Sequence, residues 1–202
     1  MAKQKFDPSG MFLVASPDMK DSVFAKTVVF VVGHSEEKGS LGMVINKPGD
    51  VDMAEVLRQV GVPEAGRVPE GMAETVVGWG GPVQRMQGFI LHSPVSGREW
   101  NVALYRGEDL EVTCSPDLLH EVVQGNGPDR MMIVLGCAAW APKQLEDEFK
   151  AGAWLLAPCD PDIILSLPLE ERYTAALSLV GVRSEDMELL SRAVAGGLVG
   201  HA

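Results

Sequence analysis

Short apolar runs separated by turn residues fill the first half of the chain. Each run ends at glycine, proline or a polar cluster, which is typical of β-strands. The run 27–32 is rich in β-branched residues, as expected for a strand that is buried on both faces. We predict strands over residues 11–15, 27–32, 41–45, 75–79, 88–92, 102–105 and 110–113.

Helical periodicity appears between and after these runs. Asp50 or Asp52 can cap a helix whose apolar residues recur at helical spacing from Met53 to Val60. A second helix is predicted to begin at 115–117, where serine, proline and aspartate follow one another. A strand over 131–135 is expected to end at Gly136. Further helices are predicted over 144–150, 167–180 and 184–195, a strand over 154–157, and a helix cap at Asp160.

These elements predict an α+β fold. Short early connections favour antiparallel hairpins, and the later helices allow a crossover. We expect a single compact domain, residues 1–202, with a mixed, largely antiparallel sheet or barrel-like β core covered by helices. Residues 28–32, 43–45 and 131–135 should form its centre. Residues 1–9 are expected to be a flexible N-terminus, and the long loop 61–73 the first site of proteolysis.

Composition narrows the class of protein. Of 202 residues, 46% are hydrophobic and 22% charged, which excludes a disordered or coiled-coil chain. The net charge of −11 repels phosphate backbones, so direct nucleic-acid binding is not expected. Three cysteines without paired spacing favour a reducing compartment. No apolar run is long enough for a signal peptide or a bilayer span, so we expect a cytoplasmic protein without membrane insertion.

No motif for a catalytic or metal site is apparent. The four histidines lack metal-ligand spacing, so no metal and no cofactor are expected. Cys137 follows a predicted strand, where nucleophiles can project, but a free cysteine is more often a small buried apolar residue. The charged runs 146–148 and 170–172 are interpreted as solvated helix faces. The turn 78–82 is read as a tight connection between strands, with backbone approach by a ligand as the alternative.

Several segments together resemble the YqgE/AlgH family of bacterial proteins. The similarity runs from about Gly10 to the last residue and is most specific in four elements. These are Asn46-Lys47-Pro48, Gly80-Gly81-Pro82, the Leu91-His92 pair, and Trp140 followed by Gln144-Leu145-Glu146.

This resemblance implies a compact α/β-type protein of unestablished biochemical activity. The family is described as regulatory, because one branch was linked to control of exopolysaccharide production, and no cofactor, substrate or catalytic residue is settled for it. Cys137, Ala139 and Lys143 depart from the family's usual residues, which are an aromatic, a small glycine or serine, and a glycine.

We therefore expect a cytoplasmic binding or regulatory protein whose partner is an unknown protein or small molecule. The alternative is a hydrolase or thiol-dependent enzyme that uses Cys137 with His92 or His34. The sequence does not decide the oligomeric state. Polar and glycine residues at strand ends and turns are the candidates for a ligand or partner site: His34, Asn46, Lys47, Gly80, Gly81, Pro82, His92, Trp140, Gln144 and Glu146.

Overall fold

The computed structural model describes residues 6–20, 22–61 and 77–181, which form nine strands and five helices. The strands are β1 Met11–Ala15, β2 Val28–Ser35, β3 Gly39–Val44, β4 Val77–Trp79, β5 Val83–His92, β6 Ala103–Arg106, β7 Glu111–Thr113, β8 Met131–Trp140 and β9 Trp154–Pro158. The helices are α1 Met53–Gln59, α2 Asp117–Val123, α3 Gln144–Lys150, α4 Pro161–Leu165 and α5 Leu169–Leu179.

The strands form one sheet that curls back on itself. Their order is β6-β7-β5-β8-β3-β2-β1-β9, and β4 pairs separately with β8. Pairing between the described strands is antiparallel except between β4 and β8, which run parallel. Phe30 of β2 nonetheless meets Tyr105 of β6 edge to face, with ring centroids 5.1 Å apart. The predicted α+β fold with a mixed, largely antiparallel sheet is confirmed.

The residues predicted to form the centre of the fold are in the hydrophobic core. The side chains at 28–32, 43–45 and 132–134 are all at most 7% exposed, and Met131 is half-buried. A second group of apolar side chains lies beneath α1 and α2, including Leu57, Leu118 and Ile133. Helices therefore cover the sheet on the side of β4, β5 and β8, as their amphipathic patterns indicate.

Strand β8 is longer than the sequence predicts. It continues through Gly136 to Trp140, so the prediction that Gly136 ends the strand is wrong. Gly136 has φ +78°, and a Cβ built on it would lie 2.4 Å from the carbonyl oxygen of Gly81. The glycine is needed because another backbone segment crosses there, and the strand resumes pairing with β3 on the far side.

Most helix boundaries agree with the sequence. Helix α3 has the predicted bounds, Asp52 accepts a hydrogen bond from the Glu55 N–H at 2.8 Å, and Asp160 caps α4 through the Asp162 N–H at 3.0 Å. The predicted helix over 184–195 and nearly all of the loop 61–73 lie outside the described residues, and the assignment of 1–202 to one domain stays a prediction. Within the described part of the chain, no helix is long and apolar enough to cross a membrane.

Helix α5 is anchored by a buried cation, which the interpretation of 170–172 as a solvated face did not foresee. Arg172 is only 8% exposed. Its Nε donates to the carbonyl of Leu167 at 2.9 Å and its Nη1 to the carbonyl of Ile45 at 2.5 Å. Burial lowers the pKa of Arg172 to about 10, so the group remains charged at neutral pH. The guanidinium joins α5 to the end of β3.

Candidate functional site

Two candidate residues, Trp140 and Gln144, meet Trp154 around the carboxylate of Glu148, which was not among the candidates. Glu148 accepts hydrogen bonds from the indole N–H groups of Trp140 at 2.9 Å and Trp154 at 2.7 Å. Its other oxygen accepts from the amide of Gln144 at 2.9 Å. The Gln144 carbonyl in turn accepts from the Ala141 N–H at 2.9 Å. We call these side chains, Trp140, Gln144, Glu148 and Trp154, the tryptophan–glutamate cluster. Its polar atoms bond one another.

His34 lies at the side of this cluster, in an arrangement of serine, histidine and carboxylate. Its Nδ1 is 2.8 Å from the Ser40 hydroxyl, and its Nε2 is 3.8 Å from Glu146 Oε1. The Phe6 ring packs against the imidazole edge to face. The His34 side chain is 1% exposed and Ser40 is 6% exposed. A substrate has no access to this hydroxyl, so the arrangement holds β2, β3 and α3 together.

Asn46 and Lys47 bind a neighbouring loop. Asn46 accepts from the Val28 N–H at 2.7 Å and donates to the Lys26 carbonyl at 2.9 Å. The Lys47 ammonium donates to the Val23 carbonyl at 2.5 Å and lies 5.7 Å from the centre of the Trp79 ring. Partial burial lowers the pKa of Lys47. Both side chains fix the loop before β2 in place.

The same loop inserts one aromatic ring among three tryptophans. Phe24 lies 6.2 Å from Trp79, 6.3 Å from Trp140 and 5.7 Å from Trp154, measured between ring centroids. Asn46 and Lys47 thereby connect to the tryptophan–glutamate cluster through apolar packing. The contact is a small aromatic cluster of one phenylalanine and three tryptophans.

Gly80, Gly81 and Pro82 carry the chain across β8. The Gly80 N–H donates to the Leu135 carbonyl and its own carbonyl accepts from the Val44 N–H, both at 2.8 Å. A Cβ on Gly80 would lie 2.2 Å from the Gly136 oxygen, and one on Gly81 2.2 Å from the Cys137 carbonyl carbon. The close approach is made by the protein's own backbone, as the interpretation of this segment as a tight connection predicts.

His92 lies far from Trp140 and the tryptophan–glutamate cluster. It pairs with Met131 in the register of β5 and β8, nine residues from Trp140 and so about 30 Å away along the strand. Its Nδ1 donates to the Ser93 carbonyl at 2.8 Å, and its Nε2 is 3.8 Å from Glu111 Oε2. Burial lowers the pKa of His92, although the Ser93 bond and the Glu111 charge oppose the shift. His92 is fully buried.

The structure does not assemble the thiol dyad considered as the alternative function. Cys137 is 1% exposed, and burial raises the pKa of its thiol. Its Sγ lies 3.7 Å from the Val83 carbonyl. His92 is opposite Met131, six residues away along β8, a separation of about 20 Å. The ring of His34 contacts Phe6, Ser40 and Glu146 instead of Cys137.

An open surface lies elsewhere, around the first half of β5. Val83 pairs with Cys137 of β8, and Gly88 pairs with Leu135. The chain therefore advances five residues along β5 but only two along β8, so residues 84–87 bulge outward. We call Gln84–Gln87 the β5 bulge. Met86 is 77% exposed at its tip. Beside it lies a cleft of about 80 Å³, lined by Val56, Gln59, Val60, Met86, Gln87, Gly88, Ile90, Cys114, Ser115, Pro116, Leu119, Ile133 and Leu135.

None of the ten candidate residues lines this cleft. Sequence reasoning missed it because it started the strand at Gly88, where the buried pattern begins. The one available signal was an isolated methionine in the polar stretch 84–87. Among the described residues, no group of three His, Cys, Asp or Glu side chains is placed to hold a metal ion.

Comparison with known proteins gives a consistent family. A family model described as AlgH-like (DUF179) matches residues 12–185. A UPF0301 protein of Burkholderia vietnamiensis is 41% identical over 194 residues, covering 96% of this chain and 95% of the relative. A UPF0301 protein of Burkholderia thailandensis is 39% identical over 201 residues, covering 100% and 98%.

Solved structures show the same fold. The solution structure of the AlgH protein from Pseudomonas aeruginosa superimposes with a TM-score of 0.74 at 38% identity, over all of both chains. A crystal structure of a protein from Corynebacterium diphtheriae, 23% identical over 88% of each chain, shares the fold with a TM-score of 0.66. The match over residues 12–185 and the identity to full-length relatives place this chain in the AlgH-like family.

Proposed function

We propose that this protein is a cytoplasmic regulatory protein that acts by binding a protein partner at the cleft beside the β5 bulge. One observation carries the proposal: Met86 projects, 77% exposed, at the edge of an apolar cleft of about 80 Å³. Exposed methionine beside an apolar recess is a feature of binding surfaces, because its flexible side chain adapts to a partner. The recess would accept one apolar side chain.

The hydrogen bonds of the polar candidate residues support a binding function over a catalytic one, because these residues bond other groups of the protein. Trp140, Gln144 and Glu148 bond one another, and Asn46 bonds the backbone of its neighbouring loop. The Ser40 hydroxyl beside His34 is buried. Reactive side chains at an active site need a path to the substrate. The accessible cleft instead has a mostly apolar lining.

Photo-crosslinking from inside cells tests this function. A benzophenone amino acid replaces Met86 in one variant and Val23 in a matched control, because Val23 is 60% exposed on a different loop. We expect a discrete adduct with a cytoplasmic protein from position 86 and none of the same mass from position 23. Equal adduct patterns at the two positions, or no adduct from position 86, would contradict the proposal.

Thiol labelling tests the alternative enzyme. Cys114 is half-exposed in the wall of the cleft, Cys137 is 1% exposed, and burial raises the pKa of Cys159 to about 12. We expect a maleimide near neutral pH to modify Cys114 first, and Cys137 only after denaturation. Faster modification of Cys137 than of Cys114 in the native protein would support a thiol-dependent enzyme instead.

A further inference from the structure

The β5 bulge forms a wall shared by two recesses. On one side is the apolar cleft, and on the other is a shallow recess, open to solvent over most of its extent, that is lined by Gln84, Arg85, Met86 and Gln87. Met86 and Gln87 line both. A single segment of a partner can therefore place one side chain in the cleft and a neighbouring one in the recess that contains Arg85.

Charge distinguishes the two recesses. The lining of the cleft contains no charged residue. In the recess, Arg85 is exposed and forms no ion pair with any residue that the structure describes. The other surface arginines in the described ranges each pair with a carboxylate: Arg58, Arg98, Arg106 and Arg130. A free guanidinium is a strong bidentate donor to a carboxylate. On a chain with a net charge of −11, it provides a local site for an acidic group.

Contacts with β8 anchor the N-terminal end of the β5 bulge. Gln84 adopts φ +50°, a left-handed conformation that is uncommon for a residue other than glycine. The crossing of Gly80 and Gly81 over Gly136 anchors the segment just before it, and Val83 pairs with Cys137. The position of the bulge beside the cleft is therefore set by contacts at its N-terminal end.

We propose that the partner presents a short acidic peptide segment, in which an apolar side chain enters the cleft and an aspartate or glutamate nearby in the segment bonds Arg85. This specificity rests on the proposed function, since it names the chemistry that the same surface recognises. The apolar side chain supplies burial, and the carboxylate fixes the orientation of the segment.

Selection from a phage-displayed library of random peptides tests the proposal on the full chain. Binders are selected on the wild type alone, and each enriched peptide is then tested for binding to Met86→Asp. We expect the enriched peptides to share an apolar residue flanked by aspartate or glutamate. Arg85→Ala should weaken a synthetic copy of such a peptide about tenfold. Arg85→Glu should abolish binding, and a peptide with lysine in place of the acid should restore it.

The outcomes separate the two proposals. Peptides that need Met86 but show no acidic residue, and that bind Arg85→Glu as well as the wild type, would refute the acidic specificity and leave cleft binding intact. Enriched peptides insensitive to Met86→Asp, or no enrichment, would contradict both. Self-association that Met86→Asp abolishes, measured by sedimentation without peptide, would assign the cleft to a second copy of the chain and overturn the peptide proposal.

Discussion

The tryptophan–glutamate cluster and the β5 bulge use polar chemistry in opposite ways. In the cluster, one Glu148 carboxylate receives three hydrogen bonds from within the protein. At the bulge, Arg85 has no ionic partner among the described residues, and Met86 is 77% exposed. The cluster holds α3 and two strands in place, while the bulge exposes side chains that are available to a binding partner. Residue types typical of active sites are therefore poor guides to function when their polar atoms already bond one another.

The crossing at Gly81 should show the largest effect, because both regions depend on it. In Gly81→Ala, the new Cβ would lie 2.2 Å from the Cys137 backbone at a φ of +148°. We expect a loss of roughly 3 kcal/mol or more in unfolding free energy, measured by urea denaturation. Gly88→Ala, in the following strand β5, is the control, since the nearest contact of its new Cβ would be Leu135 Cδ2 at 3.9 Å. Similar losses in the two variants would contradict the close crossing.

Removal of Glu148 should disrupt the cluster and leave the bulge intact. Glu148→Ala leaves the indole N–H groups of Trp140 and Trp154 without their acceptor. Each unsatisfied buried donor costs about 1–3 kcal/mol, so we expect a total loss of about 3 kcal/mol, with a shift in tryptophan fluorescence.

Glu146→Ala is the control for this variant. It removes a carboxylate from the same helix, one whose nearest ionic contact is His34 at 3.8 Å. We expect a loss below about 1 kcal/mol. Equal destabilisation by the two substitutions would mean that Glu148 has no special role in the cluster.

His92 should make stability depend on pH without involving either region. Burial lowers its pKa below that of the unfolded chain, so the unfolded state binds the proton more readily. The unfolding free energy should therefore decrease as pH falls through the unfolded value of about 6.5. His92→Asn, which keeps a donor for the Ser93 carbonyl, should flatten this dependence, measured by denaturation across pH 5–8.

A substitution of Glu111 tests whether His92 causes this pH dependence of stability. Its charge raises the pKa of His92, so Glu111→Gln should lower that pKa further and steepen the loss of stability in acid. An unchanged slope in both Glu111→Gln and His92→Asn would show that another group controls the acid response.

The smallest change in stability is expected at the bulge itself. Met86 is mostly exposed, so Met86→Asp should alter the unfolding free energy by less than about 0.5 kcal/mol. It should nevertheless reduce binding of a fluorescent apolar dye to the cleft, while Val23→Asp, at another exposed apolar position, should not. Dye binding that is equal in the two variants would show that Met86 does not border an open apolar surface.

Local patterns along the sequence determined most of the secondary structure. Helix α3 has its predicted bounds, Asp52 and Asp160 cap α1 and α4 as expected, and the runs 28–32 and 43–45 are in the core. These features depend on neighbours within a few residues, because burial of one face selects a period of 3.6 or 2. The residues of the family resemblance also correctly indicated membership.

The tertiary structure alone decided what the polar residues do. Arg172 bonds the carbonyl of Ile45, 127 positions away, and Val83 reaches Cys137 across 54 positions. Nothing near Gly136 in sequence shows that Gly81 must pass over it and let β8 continue. Hydrogen-bond acceptors and exposed surfaces are set by such distant contacts, whose partners a local pattern does not specify. The cleft beside Met86 therefore exists only in the folded chain.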